Sequence, residues 1–167
     1  MSKKQPLTSI DFDFGVGKII PATQEAYHDD ELSGQIRKTE KEDLVQFKNT
    51  LSSDLDSKLK NNECFPSDGE VFVFIVQYFA SEKEYSRRDV DNMAKTILDV
   101  LKKRFYRDDS QVKTLLVGKK LEKRVPQNFA YVAVKKLSVL QDVDALKISG
   151  LERSVTMFQE LKSKKIL

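Results

Sequence analysis

Three aspartates in two neighbouring segments of the chain could together bind a divalent cation. Asp89 and Asp91 stand two positions apart at the start of a predicted helix, and Asp109 follows in a turn before the next predicted strand. If the chain is still extended at Asp89, this side chain and that of Asp91 point to one side. The turn could return Asp109 to a position beside them. Three converging carboxylates suit a hard cation such as Mg²⁺, which relieves their mutual repulsion.

Basic residues flank these aspartates in the sequence. Lys95 lies one helical turn after Asp91, where it could stabilise developing negative charge or orient a water nucleophile. Other basic side chains nearby would attract a phosphate backbone. They are Arg87, Arg88, Lys102, Lys103, Arg104 and Arg107. An acidic metal site in basic surroundings is typical of phosphodiester chemistry.

Each of these features also has a purely structural interpretation. Asp89 could be a helix N-cap, and Asp91 could complement the helix dipole. Lys95 could form a surface ladder of ion pairs with Asp91 and Asp99. The run 108–110, Asp-Asp-Ser, is also a common turn sequence. Singly, each feature is more often structural than catalytic, so the prediction depends on their combination.

The elements that would position these residues follow from the spacing of apolar side chains. Residues 8–14 alternate as a half-buried strand, and residues 15–38 are predicted to form a long loop. A capping box at 39–42 predicts the start of an amphipathic helix of about five turns. Residues 71–79 are rich in β-branched and aromatic side chains and predict a strand buried on both faces for much of its length.

The second half of the chain continues this pattern around the aspartates. Residues 81–88 are predicted to be a connection, and a second helix is predicted from Asp89 to Phe105. Residues 111–118 suit a strand, residues 119–128 a basic loop, and residues 129–134 a last strand. The aspartates therefore lie at the two boundaries of the second helix.

The elements predict an α+β fold built on a small mixed sheet. Their order is β-α-β-α-β-β, with two helices packed on the sheet. A capping box at 149–152 predicts a further helix near the C-terminus. We expect one domain over residues 1–138 and a C-terminal helical extension over residues 139–167.

Composition argues against several other classes of protein. The chain has 167 residues with one cysteine and one histidine, which excludes an intramolecular disulfide and disfavours a cysteine-rich zinc site or Ser-His-Asp hydrolysis. No stretch approaches the roughly 20 apolar residues needed to cross a bilayer. No signal peptide is visible either, so we expect a cytoplasmic protein without a membrane partner.

Charge is distributed unevenly along the chain. Residues 1–80 carry 9 basic and 14 acidic side chains, whereas residues 101–136 carry 11 basic and 3 acidic ones. The basic second half indicates a polyanion-binding surface, although charge alone fits a solvated lysine-rich surface equally well. Further candidates for contact with a polyanion are Lys119, Lys120, Lys123 and Arg124.

Taken together, the motif resembles that of RusA-type Holliday-junction resolvases. It reads Asp-x-Asp-Asn, then Lys three positions after the Asn, Asp four further on, and Asp-Asp-x-Gln-Val. The likeness covers residues 85–118 in detail and, through the order of elements, about residues 8–136. It makes residues 1–138 a RusA-like endonuclease domain.

The resemblance implies a homodimeric endodeoxyribonuclease that depends on Mg²⁺, with Mn²⁺ as a substitute. Its substrate would be a four-way DNA junction, resolved by paired symmetric nicks in recombination and repair. The metal-binding residues of the family carry over to Asp89, Asp91 and Asp109. Its catalytic lysine carries over to Lys95. Supporting positions carry over to Asn92, Asp99 and Asp108.

Two other functions fit the same residues. The chain could be a nuclease that uses this site on another branched or flap DNA. It could also be a non-catalytic DNA-binding or adaptor protein on the same fold. Retention of the three aspartates and Lys95 disfavours the adaptor, because an inactive site has no reason to keep a repulsive carboxylate cluster.

Overall fold

The computed structural model describes residues 10–23, 27–29 and 38–137, with the backbone alone for 27–29 and 38–40. That part of the chain contains six strands, three α-helices and a 3₁₀ helix at Asp109–Gln111. The strands are β1 Phe12–Val16, β2 Tyr27–Asp29, β3 Lys38–Glu40, β4 Val71–Phe79, β5 Val112–Leu121 and β6 Phe129–Lys136. The helices are α1 Glu42–Leu59, α2 Glu82–Ser86 and α3 Val90–Leu101.

Four of the strands form one mixed sheet in the order β1-β6-β4-β5. β4 and β5 are parallel, while β6 is antiparallel to both β4 and β1. β2 and β3 form a separate two-stranded antiparallel sheet. The predicted α+β class and the mixed sheet are therefore confirmed.

Helices α1 and α3 pack their apolar faces on the sheet. Phe47, Leu51 and Leu55 of α1 share one hydrophobic core with Ile97 of α3 and Ile75 of β4. α3 connects two parallel strands, so it must run antiparallel to both of them. α3 therefore begins near the C-terminal ends of β4 and β5, and it ends near their N-terminal ends. This direction decides where the candidate site residues lie.

The predicted order β-α-β-α-β-β is wrong because residues 15–38 are not simply a loop. β1 continues through Gly15, and the short strands β2 and β3 follow it. Thr39 pairs with His28 in that small sheet, so the predicted capping box is also wrong. α1 begins at Glu42, and its N-cap Lys41 makes no side-chain capping bond. Pairing with β2 satisfies backbone groups that a helix start at Thr39 would leave open.

The segment after β4 also differs from the prediction. Residues 81–88 contain the short helix α2, whose Tyr85 ring packs edge-on against Phe79 with centroids 5.9 Å apart. α3 ends at Leu101 rather than at Phe105, because Lys103 adopts a left-handed backbone conformation with φ of 69°. The turn that follows buries Phe105 in the core.

The remaining strands agree more closely with the sequence pattern. The bounds predicted for β4 are confirmed, and its first three residues are fully buried on both faces. β5 and β6 are longer than predicted because their pairing with β4 extends to Leu121 and Lys136. The predicted C-terminal helix, after 149–152, and the boundary at 138 lie outside the described residues or beside their end. Among the described helices, none is long and apolar enough to cross a membrane.

Candidate active site

Two of the predicted ligands, Asp89 and Asp91, lie at the N-terminus of α3 with exposed side chains. Asp89 is the N-cap residue, with an extended backbone at φ −98° and ψ 132°, but its side chain makes no capping hydrogen bond. Asp91 lies in the first helical turn. Neither carboxylate forms an ion pair with any other residue in the described ranges. Both are therefore available to an external ligand.

The first turns of α3 are held by the segment that follows β1. Thr96 donates a hydrogen bond to the carbonyl oxygen of Pro21 at 2.7 Å. Thr23 contacts the side-chain oxygen of Asn92 at 3.5 Å. Asn92, which is predicted to have a supporting role, directly follows Asp91 in α3. Its side chain is half-buried against the segment that follows β1.

Lys95 lies on the exposed face of α3, one turn after Asp91. The ladder of ion pairs that would give it a purely structural role is not formed. Asp99 instead accepts a hydrogen bond from Lys48 of α1 at 2.9 Å. Within the described part of the chain, Lys95 pairs with no carboxylate, so its ammonium group is free to meet a ligand.

The third predicted ligand, Asp109, lies at the other end of α3. Its carboxylate accepts a hydrogen bond from Lys102, the C-cap residue of the helix, at 2.7 Å. α3 has 12 residues, and at about 1.5 Å per residue it is about 18 Å long. The expectation that Asp109 returns to Asp89 and Asp91 within one chain is therefore wrong. β5 is parallel to β4, so the turn before it must lie where α3 ends.

The two ends of α3 therefore carry different residues. We call the N-terminal end, with Asp89 and Asp91, the Asp89 end, and the C-terminal end, with Lys102 and Asp109, the Asp109 end. Among residues 10–23 and 41–137, whose side chains the structure describes, no three acidic, histidine or cysteine side chains come close enough to hold a metal ion. The Asp89 end has two hard oxygen ligands, and Mg²⁺ is usually held by one or two carboxylates together with waters and substrate phosphates. The carboxylates there fit such an ion.

The turn that carries Asp109 is rigidly built. Asp108 accepts a hydrogen bond from the amide of Ser110 at 2.9 Å, which lowers the pKa of its carboxyl group. The Gln111 side chain accepts from the amide of Asp108 and donates to the carbonyl oxygen of Ser67 at 2.9 Å. The Gln of the Asp-Asp-x-Gln-Val motif is therefore a structural anchor. The motif marked this residue, but the sequence alone gave it no role.

Half of the ten predicted DNA-contact residues form ion pairs inside the domain. Arg104 donates twice to Asp56 of α1, at 2.7 and 3.1 Å. The side chain of Arg124 lowers the pKa of Glu122 to about 2 through a hydrogen bond at 2.8 Å. The full set of paired residues is Arg88, Lys102, Arg104, Arg107 and Arg124.

The other basic candidates differ in their surroundings. Four of them are exposed and pair with no carboxylate of the described residues: Arg87, Lys103, Lys120 and Lys123. Lys119 instead turns inward and donates to the backbone carbonyl oxygens of Tyr85 and Arg88, at 2.9 and 2.7 Å. Its ammonium group is occupied by the protein's own backbone and is not presented to a ligand.

The family comparison agrees with the motif. A family model described as endodeoxyribonuclease RusA matches residues 17–133, which include both ends of α3 and every predicted site residue. No curated protein matches the chain. The predicted resemblance is confirmed, and it implies an endonuclease that acts on branched DNA. The chain belongs to the RusA endodeoxyribonuclease family.

Proposed function

We propose that this protein is a Mg²⁺-dependent endonuclease that resolves four-way DNA junctions by two symmetric nicks. The observation that carries the proposal is the exposed face of α3, where Asp89 and Asp91 lie without protein partners and Lys95 follows one turn later. Like charges repel, and the dipole of α3 offsets the repulsion between these two neighbouring carboxylates only in part. Their presence is explained by a ligand that this site recruits.

Asp89 and Asp91 would bind the cation next to the DNA backbone. When bound there, Mg²⁺ would supply Lewis acidity at a phosphodiester oxygen. Asp89 and Asp91 are exposed at a helix N-terminus, so a phosphate group can approach them from solvent. The N-terminal dipole of α3 adds a small positive potential at the same place, which favours an approaching phosphate.

Lys95 would offset the negative charge that develops as the phosphodiester is attacked. A protonated ammonium group has no lone pair with which to bind a metal. It can, however, donate to a phosphate oxygen or hold a water molecule for attack. Lys95 follows Asp91 by one helical turn, so both groups would face the same bound phosphate.

We infer that Asp109 acts at the active site of a second chain. In a two-fold symmetric dimer whose α3 helices run antiparallel, the Asp89 end of one chain meets the Asp109 end of the other. Asp109 of the partner subunit would then complete the ligands begun by Asp89 and Asp91. The exposed pair with Lys102 holds Asp109 only weakly, since solvent screens it. Such a dimer has two sites, which is the number that paired nicks require.

The DNA-contact surface is narrower than the sequence predicts. Arg87, Lys120 and Lys123 lie at the Asp89 end without internal ion pairs and are the first candidates for phosphate contacts. Lys103 is the corresponding candidate at the Asp109 end. The antiparallel dimer would join the two groups into one basic surface around each site. The paired arginines contribute less, because a phosphate must compete with a bound carboxylate for them.

Junction affinity is expected to depend steeply on salt, because phosphate contacts release counterions. Between about 50 and 200 mM salt, in EDTA, affinity should fall roughly 10³-fold for a protein with six or more phosphate contacts. Lys123→Gln should make the slope shallower by about one unit. Arg124 is the neighbour of Lys123 and is already paired with Glu122. Arg124→Gln should therefore change the salt slope less than Lys123→Gln does. A fluorescence anisotropy titration at several salt concentrations measures this, and a flat salt dependence would contradict a phosphate-binding surface.

Cleavage assays on DNA of different branching test the proposal itself. We expect a labelled four-way junction to be cut in Mg²⁺ at two symmetry-related positions, and EDTA to stop the reaction. Faster cutting of a flap or three-way substrate would favour the related nuclease function instead. Tight junction binding without cleavage in either Mg²⁺ or Mn²⁺ would favour the non-catalytic DNA-binding protein.

A further inference from the structure

Lys119, a basic residue near the Asp89 end, contacts the protein's own backbone and an aromatic ring. It lies on β5 opposite Gln77 of β4, a side chain with no exposed surface, so its backbone is firmly anchored. Its ammonium group donates to the carbonyl oxygens of Tyr85 at 2.9 Å and Arg88 at 2.7 Å. It also lies over the Tyr85 ring, 4.6 Å from the centroid.

These two carbonyl groups belong to the segment that leads into the candidate active site. Tyr85 lies in the last turn of α2, where carbonyl groups have no partner inside the helix. The carbonyl group of Arg88 and the amide nitrogen of Asp89 share one planar peptide unit. The hydrogen bond to the Arg88 oxygen therefore fixes this peptide plane, which includes the Cα atom of Asp89 that carries its side chain. The Asp89 side chain itself makes no capping bond that would do this.

We propose that Lys119 is a positioning residue that presets Asp89, and through it the pair with Asp91, for a divalent cation. The inference rests on the proposed function, and it replaces the DNA-contact role that the basic sequence suggested for Lys119. Groups that orient a metal ligand typically change metal affinity by 10- to 100-fold when they are removed. Lys119 thus affects DNA cleavage through the geometry of Asp89 and makes no contact with the phosphate backbone.

The neighbouring residue on β5 provides a matched control. Successive side chains on a strand point to opposite faces, and Lys120 is exposed where Lys119 is half-buried. Lys119→Met keeps the apolar stem but removes the three N–H donors, and Lys120→Met removes the same charge from the same strand. Lys119→Arg keeps a charged donor with a different shape. The pair of methionine variants separates positioning from phosphate contact.

Three measurements follow for the full-length protein. Mn²⁺ binding, measured by electron paramagnetic resonance without DNA, should weaken about 10-fold in Lys119→Met and less in Lys119→Arg. Hydrogen–deuterium exchange of amides 85–91 should become faster in Lys119→Met. In single-turnover cleavage the Mg²⁺ concentration for half-maximal rate should rise about 10-fold, with junction affinity unchanged. Lys120→Met should weaken junction affinity and leave Mn²⁺ binding and amide exchange as in the wild type.

Wild-type Mn²⁺ affinity and unchanged exchange in Lys119→Met would overturn the inference. Weaker junction binding with normal Mn²⁺ binding would restore the DNA-contact role. If Lys119→Met does not fold, the same measurements on Lys119→Arg decide, with intermediate effects expected. A wild-type protein that neither binds Mn²⁺ nor cuts DNA would remove the proposed function and with it the metal role of Lys119. The exchange of amides 85–91 would still show whether Lys119 fixes the segment.

Discussion

Asp91→Asn will abolish cleavage of a four-way junction while the protein keeps its fold and its affinity for DNA. The substitution preserves the size of the side chain and removes one anionic ligand. Loss of metal-supplied charge stabilisation worth several kcal/mol corresponds to a rate decrease of about 10³-fold or more. Asp91 is exposed and makes no described ion pair, so thermal unfolding should change little. Single-turnover cleavage in saturating Mg²⁺ measures the rate, and wild-type cutting would refute the site.

Glu82→Gln is the control for this experiment. It removes an exposed carboxylate from the first turn of the neighbouring helix α2, and so changes net charge by the same amount. We expect its cleavage rate to match that of the wild type. An equal loss in both variants would show that the effect arises from net charge in this region, and the assignment of Asp91 as a ligand would fall.

The same variant tests whether each site takes Asp109 from the other chain. Asp91→Asn and Asp109→Asn homodimers should both be inactive. In a mixed dimer one site contains both substitutions and the other contains neither, so the mixed dimer should nick the junction on one strand. Differently tagged chains, co-expressed and purified through both tags, provide that species. If Asp109 served its own chain, both sites of the mixed dimer would carry one substitution and no nicking would return.

The fold could be predicted from sequence wherever burial alone determines an element. β4 was predicted residue for residue because an apolar strand covered on both sides has a nearly continuous apolar pattern. The start of α1 could not be predicted, since Thr39 carries a helix-capping signal but pairs with His28 in a small sheet. Local capping preferences are worth about 1 kcal/mol, which a few strand pairings can outweigh.

The motif predicts which residue types the candidate site contains, but not how the fold arranges them. The motif identified Asp89, Asp91, Lys95 and Asp109, but spacing along the chain suggested that a turn could bring Asp109 back to the others. Parallel pairing of β4 and β5 prevents this, because α3 connects the two strands and its whole length separates Asp109 from Asp89 and Asp91. The basic sequence predicts a DNA contact for Lys119, whereas its inward direction depends on the register of β5. The type of a residue can be read from the sequence, but the direction of its side chain depends on how the strands pair in the sheet.

Lys95→Ala should lower the rate of the chemical step by about 10²-fold or more, the size expected for loss of one preorganised electrostatic contact. Lys95 is an exposed residue of α3, one turn after Asp91, and no described carboxylate neutralises it. Mg²⁺ affinity should change little, because a protonated amine is not a ligand. Junction affinity should also change little, since one contact among many is lost. Single-turnover cleavage at saturating enzyme and Mg²⁺ isolates this step.

The alternative is that Lys95 only stabilises α3 through pairs with Asp91 and Asp99. That role predicts a loss of a few tenths of a kcal/mol in unfolding free energy and an unchanged cleavage rate. The structure already weakens it, since Asp99 is paired with Lys48 of α1. Lys83→Ala, an exposed lysine of α2, controls for the general loss of one positive charge. A 10²-fold slower step in Lys95→Ala alone, with normal binding and stability, would assign its ammonium group to the reacting phosphate.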